Sequence, residues 1–97
     1  MKRWSFSPEA NADLAEAWIY WFLEADAALA DRIESEIYEA SDLLAEQPMM
    51  GHLKPDWTSR PVRFWLVESY WIVYRAETVP LEIVRVLHTS RDIPPLI

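Results

Sequence analysis

Residues 81–92 read LEIVRVLHTSRD, and this stretch decides how the rest of the chain is arranged. Leu81, Ile83, Val84, Val86 and Leu87 make its first half apolar and largely β-branched, which suits a strand buried on both faces. A single charge, Arg85, interrupts that half, and His88, Arg91 and Asp92 close the stretch. Ionisable groups at the end of a buried strand mark a candidate site, but structural ion pairs are as common an outcome. From the residues alone scaffolding is favoured: Arg85 paired with a helix carboxylate, and Arg91 paired with Asp92 to lock the C-terminal tail.

Just upstream, Val62–Val67 and Tyr70–Ala76 are aromatic and β-branched on either side of a short break at Glu68–Ser69, which predicts a hairpin. Pro80 opens the last strand, Leu81–His88. The tail Arg91–Ile97 (RDIPPLI) carries prolines that bar further helix. Met49–Pro61 (MMGHLKPDWTSRP) holds the one glycine of the chain and two prolines and reads as a loop. Gly51 is expected there in a backbone conformation that other residues avoid.

Farther upstream the apolar period lengthens from two to 3.6. Lys2–Ser7 alternates, with Trp4 and Phe6 on one face and Arg3 and Ser5 on the other, so it predicts a short strand. Ser7 then Pro8 starts a helix: the hydroxyl accepts from an unpaired amide, and proline at the first position has no donor to lose. Glu9 suits the positive end of the helix dipole. This helix is predicted from Pro8 to about Phe22, with Leu14, Trp18 and Trp21 as its stripe, widened by Ala10 and Ala17. Tyr20 and Phe22 fall off the stripe. Asp26 caps a second helix running to about Glu46, whose stripe is Leu29, Ile33, Ile37, Ala40 and Leu44, with Leu43 beside it. It ends before Pro48. The short link makes the two helices an antiparallel hairpin.

The order is therefore β-α-α-β-β-β. Short links make the last three strands antiparallel, and the helical hairpin packs across a small, mainly antiparallel sheet in a two-layer α+β fold. Ninety-seven residues make one domain, 1–97. Apolar residues are 52% of the chain and six are tryptophan, more large apolar surface than so thin a core hides, so part of it is expected to meet a partner. There is no cysteine, and His52 and His88 lack ligand spacing, so neither a metal nor a cofactor is expected. Without a signal-like segment or a run of ~20 apolar residues, a cytoplasmic protein with no membrane partner is expected.

The net charge of −7 is uneven. Residues 1–47 carry three basic residues against eleven acidic ones, whereas residues 48–97 carry six against five. Such a chain is a poor general binder of nucleic acid, whose affinity rests on Lys and Arg at phosphates.

Several separated features together resemble the RelE/ParE toxin superfamily, most nearly its ParE branch: Pro8 and Leu14 leading the first helix, Met50–Gly51 after a helix ending in AEQP, Arg63 ahead of a hairpin that closes with Tyr74–Arg75, and IVRVLHTSRD near the C-terminus. The likeness spans nearly the whole chain. It implies the toxin half of a type II toxin–antitoxin module, associated with plasmid stabilisation and silenced by a cognate, ParD-like antitoxin in a hetero-oligomer. ParE-branch members poison DNA gyrase by protein–protein binding, stalling it on cleaved DNA, which implies a binding protein rather than an RNase. RelE-branch members instead cut mRNA on the ribosome. For this chain the resemblance implies a gyrase inhibitor; the alternatives are the ribosome-dependent nuclease and a degenerate, non-toxic member.

RNA cleavage by 2′-OH attack needs an acid–base pair and cations for the phosphorane. Arg63, Arg85, His88 and Arg91 are the residues that would supply them if the sheet turned them to one face. Against this, the second helix is strongly acidic and the chain ends PPLI, without a terminal Tyr or His. For a protein that acts by binding, the candidate contacts to antitoxin or target are Tyr20, Phe22, Trp57, Trp65 and Trp71, aromatics being frequent interface anchors, together with Arg63, Arg85 and Arg91.

Overall fold

The computed structural model describes residues 3–97; Lys2, expected at the start of the first strand, lies outside the described residues. The elements are β1 (Trp4–Phe6), α1 (Pro8–Glu24), α2 (Ala27–Glu46), β2 (Arg63–Val67), β3 (Tyr70–Arg75) and β4 (Leu81–His88), with single 3-10 turns at Pro48–Met50 and Pro94–Leu96. The strands form one sheet in the order β1-β4-β3-β2. β1 runs parallel to β4, and the other pairs are antiparallel. The helical hairpin lies on one face.

Ser7 makes the corner from strand to helix. Its amide donates to the Ile83 carbonyl (2.9 Å), ending the β1–β4 ladder. Its hydroxyl accepts from the Ala10 amide (3.0 Å) and donates to the Val84 carbonyl (2.7 Å), so the cap of α1 is fastened to β4. Small residues, Ala10 and Ala17, then let α1 lie close to the sheet beside Leu14. Trp18, expected in this stripe, instead points to the flank toward α2, where its indole donates to Asp31 (2.8 Å), and Asp13 takes the buried place. α2 starts at Asp26, which accepts from the Leu29 amide (2.8 Å), and buries Ala30, Ile33, Ile37, Ala40 and Leu44. Ser41, also buried there, satisfies its hydroxyl on the Ile37 carbonyl (2.8 Å).

β4 is apolar on both faces because both are covered. The helices pack on Leu81, Ile83 and Val86, with Ile72 and Tyr74 of β3. The opposite face buries Val62, Phe64, Val73, Leu87 and Ile93, closed over by Trp57 of the long loop and by Leu96 and Ile97 of the tail. A bulge makes this division possible: Arg85 pairs with Val73 and Ile83 with Tyr74, leaving Val84 as the extra residue. The bulge shifts the alternation, so Ile83 and Val86 share the helix face although three positions apart.

Two local expectations change. Gly51 has an ordinary extended backbone (φ −71°, ψ 168°). Glycine is needed there for space, since a Cβ would come within 2.7 Å of Tyr74 Cε1 and 2.9 Å of its Cζ. The prolines of the tail also permit one 3-10 turn, in which Leu96 donates to the Ile93 carbonyl (2.9 Å), because Pro94 opens it and has no donor to lose.

The two-residue turn between β2 and β3 puts Glu68 at φ 55°, a conformation that favours Asn or Gly. Glu68 is also the main cause holding the Glu36 carboxyl above its usual range. Glu68→Asn removes both features. It is expected to stabilise the fold by about 0.5–1 kcal/mol, read as a higher urea midpoint at neutral pH; a lower midpoint would show that the Glu68 side chain holds the turn.

Candidate functional site

β1 covers the edge of β4 only as far as Ile83. Beyond it the exposed ladder meets α1, and Asp13 closes it. The Val86 amide donates to Asp13 Oδ2 (2.9 Å). Arg85 donates from Nε to the same oxygen (2.8 Å) and from Nη2 to Oδ1 (2.9 Å), a two-pronged pair, while its Nη1 reaches the Leu96 carbonyl (3.0 Å). The Asp13 side chain is 7% exposed and that of Arg85 20%. Hydrogen bonding to Asp13 raises the Arg85 pKa further, outweighing burial. Arg85 thus takes the scaffolding role: it ties α1, the bulge of β4 and the C-terminal tail together.

Next to this pair lies a groove of about 340 Å³ between α1 and the end of β4. Asp13, Glu16, Ala17 and Tyr20 form one wall; Tyr70, Val86, His88, Ser90 and Arg91 form the other. His88 stands edge-on to Tyr70, ring centroids 5.2 Å apart. The Ser90 amide donates to His88 Nδ1 (3.1 Å) and the Ser90 hydroxyl lies 2.7 Å from the same nitrogen. The Tyr70 hydroxyl accepts from the Trp21 indole (2.9 Å), and burial pushes its pKa up. Arg91 is exposed at the mouth, and among the described residues no ion pair joins it to Asp92. The tail is held by Arg85 and by burial of Ile93.

Arg63 lies elsewhere. It pairs with Tyr74 across the hairpin, whereas His88 pairs with Tyr70. Four residues along β3 separate the two rows, about 13 Å at strand rise. Arg63 Nη1 donates to the Gly51 carbonyl (2.8 Å) and, at 3.5 Å, to that of Met49. Tyr74 completes this joint: its hydroxyl accepts from the Gly51 amide (2.8 Å) and donates to the Pro48 carbonyl (2.7 Å). Burial is the largest cause raising the Tyr74 pKa. Arg63, Arg85, His88 and Arg91 are therefore not gathered on one face.

The aromatic candidates divide likewise. Trp57 and Trp71 meet at 5.7 Å, nearly perpendicular, with Lys54 Nζ 4.8 Å and 4.9 Å above their rings. Trp65 packs toward the helices. Tyr20 and Phe22 are 49% and 46% exposed on α1. Sequence reasoning missed Asp13, although its place between Ala10 and Ala17 on the buried stripe was a signal, and it missed Lys54 and the exposed Ile19 and Leu23. Among the described residues no three His, Cys, Asp or Glu side chains gather as a metal site.

The family model described as the ParE toxin of type II toxin–antitoxin system, parDE, matches residues 5–93. The chain belongs to the ParE toxin family. It is similar to Toxin ParE1 of Caulobacter vibrioides, 33% identical over 96 residues, which cover 95% of this chain and 94% of that one. Its fold is similar to that in the structure titled chromosomal ParDE TA system from P. aeruginosa, with a TM-score of 0.72 at 19% identity, covering 88% and 92% of the two chains. As a ParE toxin it is the toxin member of a toxin–antitoxin system, and its β-α-α-β-β-β order is that of the family fold. Of the features behind the resemblance, Gly51, Arg63 and Tyr74 meet in one structural joint.

Two consequences are measurable by urea unfolding. Arg85→Ala strands the Asp13 carboxylate and is expected to cost about 3–5 kcal/mol; Arg85→Lys loses the two-pronged geometry and is expected to cost about 1.5–3 kcal/mol. Near-neutral effects would show that water replaces the guanidinium. Tyr74→Phe orphans the Gly51 amide and the Pro48 carbonyl, an expected loss of about 1–3 kcal/mol at neutral pH. The Tyr74 pKa is higher folded than unfolded, so its contribution is full below the ordinary value of 10.0 and is lost as pH rises through the folded value. Tyr74→Phe is therefore expected to flatten the alkaline fall in stability, leaving the part due to Tyr38 and Tyr70, which are raised in the same direction.

Proposed function

We propose that this ParE toxin acts in the cytoplasm, as a single domain, by binding DNA gyrase and stalling it on cleaved DNA, and that a ParD-like antitoxin neutralises it by forming a hetero-oligomer. Plasmid stabilisation is the role such a pair would serve. The observation that carries this reading is the dispersal of the cations. Arg85 is consumed by Asp13 and Leu96, and Arg63 by Gly51 and Met49. Only Arg91 stands exposed beside His88, whose Nδ1 is already occupied by Ser90.

Cleaving RNA by attack of a 2′-OH requires a proton acceptor, a proton donor and stabilisation of a multiply charged phosphorane, all within hydrogen-bond reach of one phosphate. One arginine and one histidine in a groove whose Asp13 is already paired with Arg85 and whose Glu16 carboxylate repels an anion make a poor phosphate site. The same features suit binding a protein. Tyr20 and Phe22 are available on α1, with Trp57, Trp65 and Trp71 half-buried as secondary contacts, and Arg91 supplies an accessible charge.

The test is gyrase supercoiling with and without the purified protein, alongside ribosome-dependent mRNA cleavage by the same preparation. Loss of supercoiling with accumulated cleaved DNA and intact mRNA is expected. Cut mRNA with gyrase unaffected, abolished by Arg91→Ala or His88→Ala, would replace this reading with the nuclease. Inactivity in both assays, together with harmless expression in a host cell, would identify a degenerate, non-toxic member.

A further inference from the structure

The outer edge of β2 is closed at Phe64 and open at Leu66. The His52 amide donates to the Phe64 carbonyl (2.9 Å) and the Phe64 amide to the His52 carbonyl (2.8 Å). Backbone groups alternate sides along a strand. Leu66 therefore turns its amide and carbonyl to the same outer edge as Phe64, while Arg63, Trp65 and Val67 turn theirs to β3. By the register of this antiparallel bridge Met50 is due opposite Leu66. It leaves the edge instead, its amide donating to the Gln47 carbonyl (3.1 Å) within the 3-10 turn. The chain thus begins a fifth strand on its four-stranded sheet and abandons it before the next pair. Among the described residues nothing else bonds to the outward backbone groups of Leu66.

The surroundings of this gap are apolar at one end and acidic at the other. Leu66 is 50% exposed, Met49 on the departing turn 68%, and Leu43 of α2 39%. Leu43 lies two turns from Glu36 on the flank of α2 toward β2. The other flank, through Asp42 and Glu46, meets Trp4 and Arg3 beside β1. At the end of β2, Glu68 is the largest cause of the raised Glu36 pKa; Glu39 adds to it and Arg32 opposes it. Three carboxylates therefore act against one guanidinium at that corner.

A second copy of the chain does not fit this edge. Two β2 strands paired antiparallel about Leu66 would set Glu68 of each opposite Phe64 of the other, where His52 already sits. The C-terminal tail and the long loop of this chain are packed over the second core. We propose that the outer edge of β2 at Leu66 receives an extended segment of another protein, paired with the Leu66 backbone and carrying Lys or Arg toward Glu68 and Glu36. Such strand addition takes affinity from main-chain hydrogen bonds and selectivity from flanking side chains. Running antiparallel to β2, the segment enters from the Glu68 end and stops at Met49. Its basic residue precedes the pairing residue by one or two positions, and apolar residues meet Leu66, Leu43 and Met49.

The test titrates the full 15N-labelled chain with synthetic peptides of one β-branched apolar sequence, carrying either Lys or Glu just before the pairing residue. A third peptide is the Lys form N-methylated at the pairing amide. The Lys peptide is expected to bind at least about tenfold tighter than the Glu peptide at low salt, with the preference shrinking at high salt. N-methylation is expected to weaken it at least about tenfold, and saturation with the unmethylated peptide to slow exchange of the Leu66 amide by a similar factor. Leu66→Pro removes the outward donor without touching the ladder to β3, and proline is tolerated on an edge strand; it is expected to abolish binding. Glu68→Lys is expected to abolish or invert the preference, and circular dichroism checks that both variants are folded. Equal affinity for the Lys and Glu peptides, binding unchanged by N-methylation, or no binding of either peptide would overturn the proposal. So would a dimer of the chain alone, seen by sedimentation and dissolved by Leu66→Pro.

Discussion

The contact on which the rest of the structure depends is the one between Asp13 and the bulge of β4. A central strand in a mixed sheet needs both edges satisfied, yet β1 is three residues long and leaves the far half of β4 without a neighbour. Asp13 supplies the missing acceptor to the Val86 amide, and burying that carboxylate is tolerable because Arg85 neutralises it through two hydrogen bonds. The third arm of Arg85 then fixes the tail through Leu96, which helps close the second core over Leu87 and Val73. One ion pair thus joins both layers. Its position also decides the character of the groove, whose floor is a paired carboxylate and whose remaining polar groups, His88, Ser90 and Arg91, follow the end of the same strand.

Much of this was legible in the sequence because the cues were local. Ser7–Pro8 and Asp26 are helix starts with a mechanism, and both cap as expected. Pro48 stops α2, and the two-sided apolar character of residues 81–88 marks the strand that lies between neighbours on both sides and under cover on both faces. What could not be read was set by contacts between distant residues. Gly51 was assigned a backbone reason, whereas Tyr74, 23 positions away, supplies a steric one. The bulge at Val84 depends on pairing with β3 and leaves no mark in the local pattern. Trp18 was counted as core because helical spacing gives a face but not its width, and Asp13 displaced it. The pairing of Arg85 with a helix carboxylate was anticipated; which carboxylate, and the failure of Arg91 to meet Asp92, needed the fold.

The candidate site shows the same division more sharply. The residue features carrying the family likeness are largely architectural: Arg63 and Tyr74 organise the turn at Pro48–Gly51, and Arg85 organises α1 on β4. A pattern of this kind specifies a fold more firmly than a chemistry, because each residue is fixed by several partners within the chain and has few donors left for a substrate. The surface left available for recognition is made of residues with fewer internal obligations: the exposed aromatic and aliphatic side chains of α1, the groove rim at Arg91 and His88, and the edge of β2 at Leu66. Charge separates these surfaces further. The helices hold most of the acid, while the strands and loops of the second half are near balance, so a partner lying on α1 and one lying at the groove mouth meet different fields.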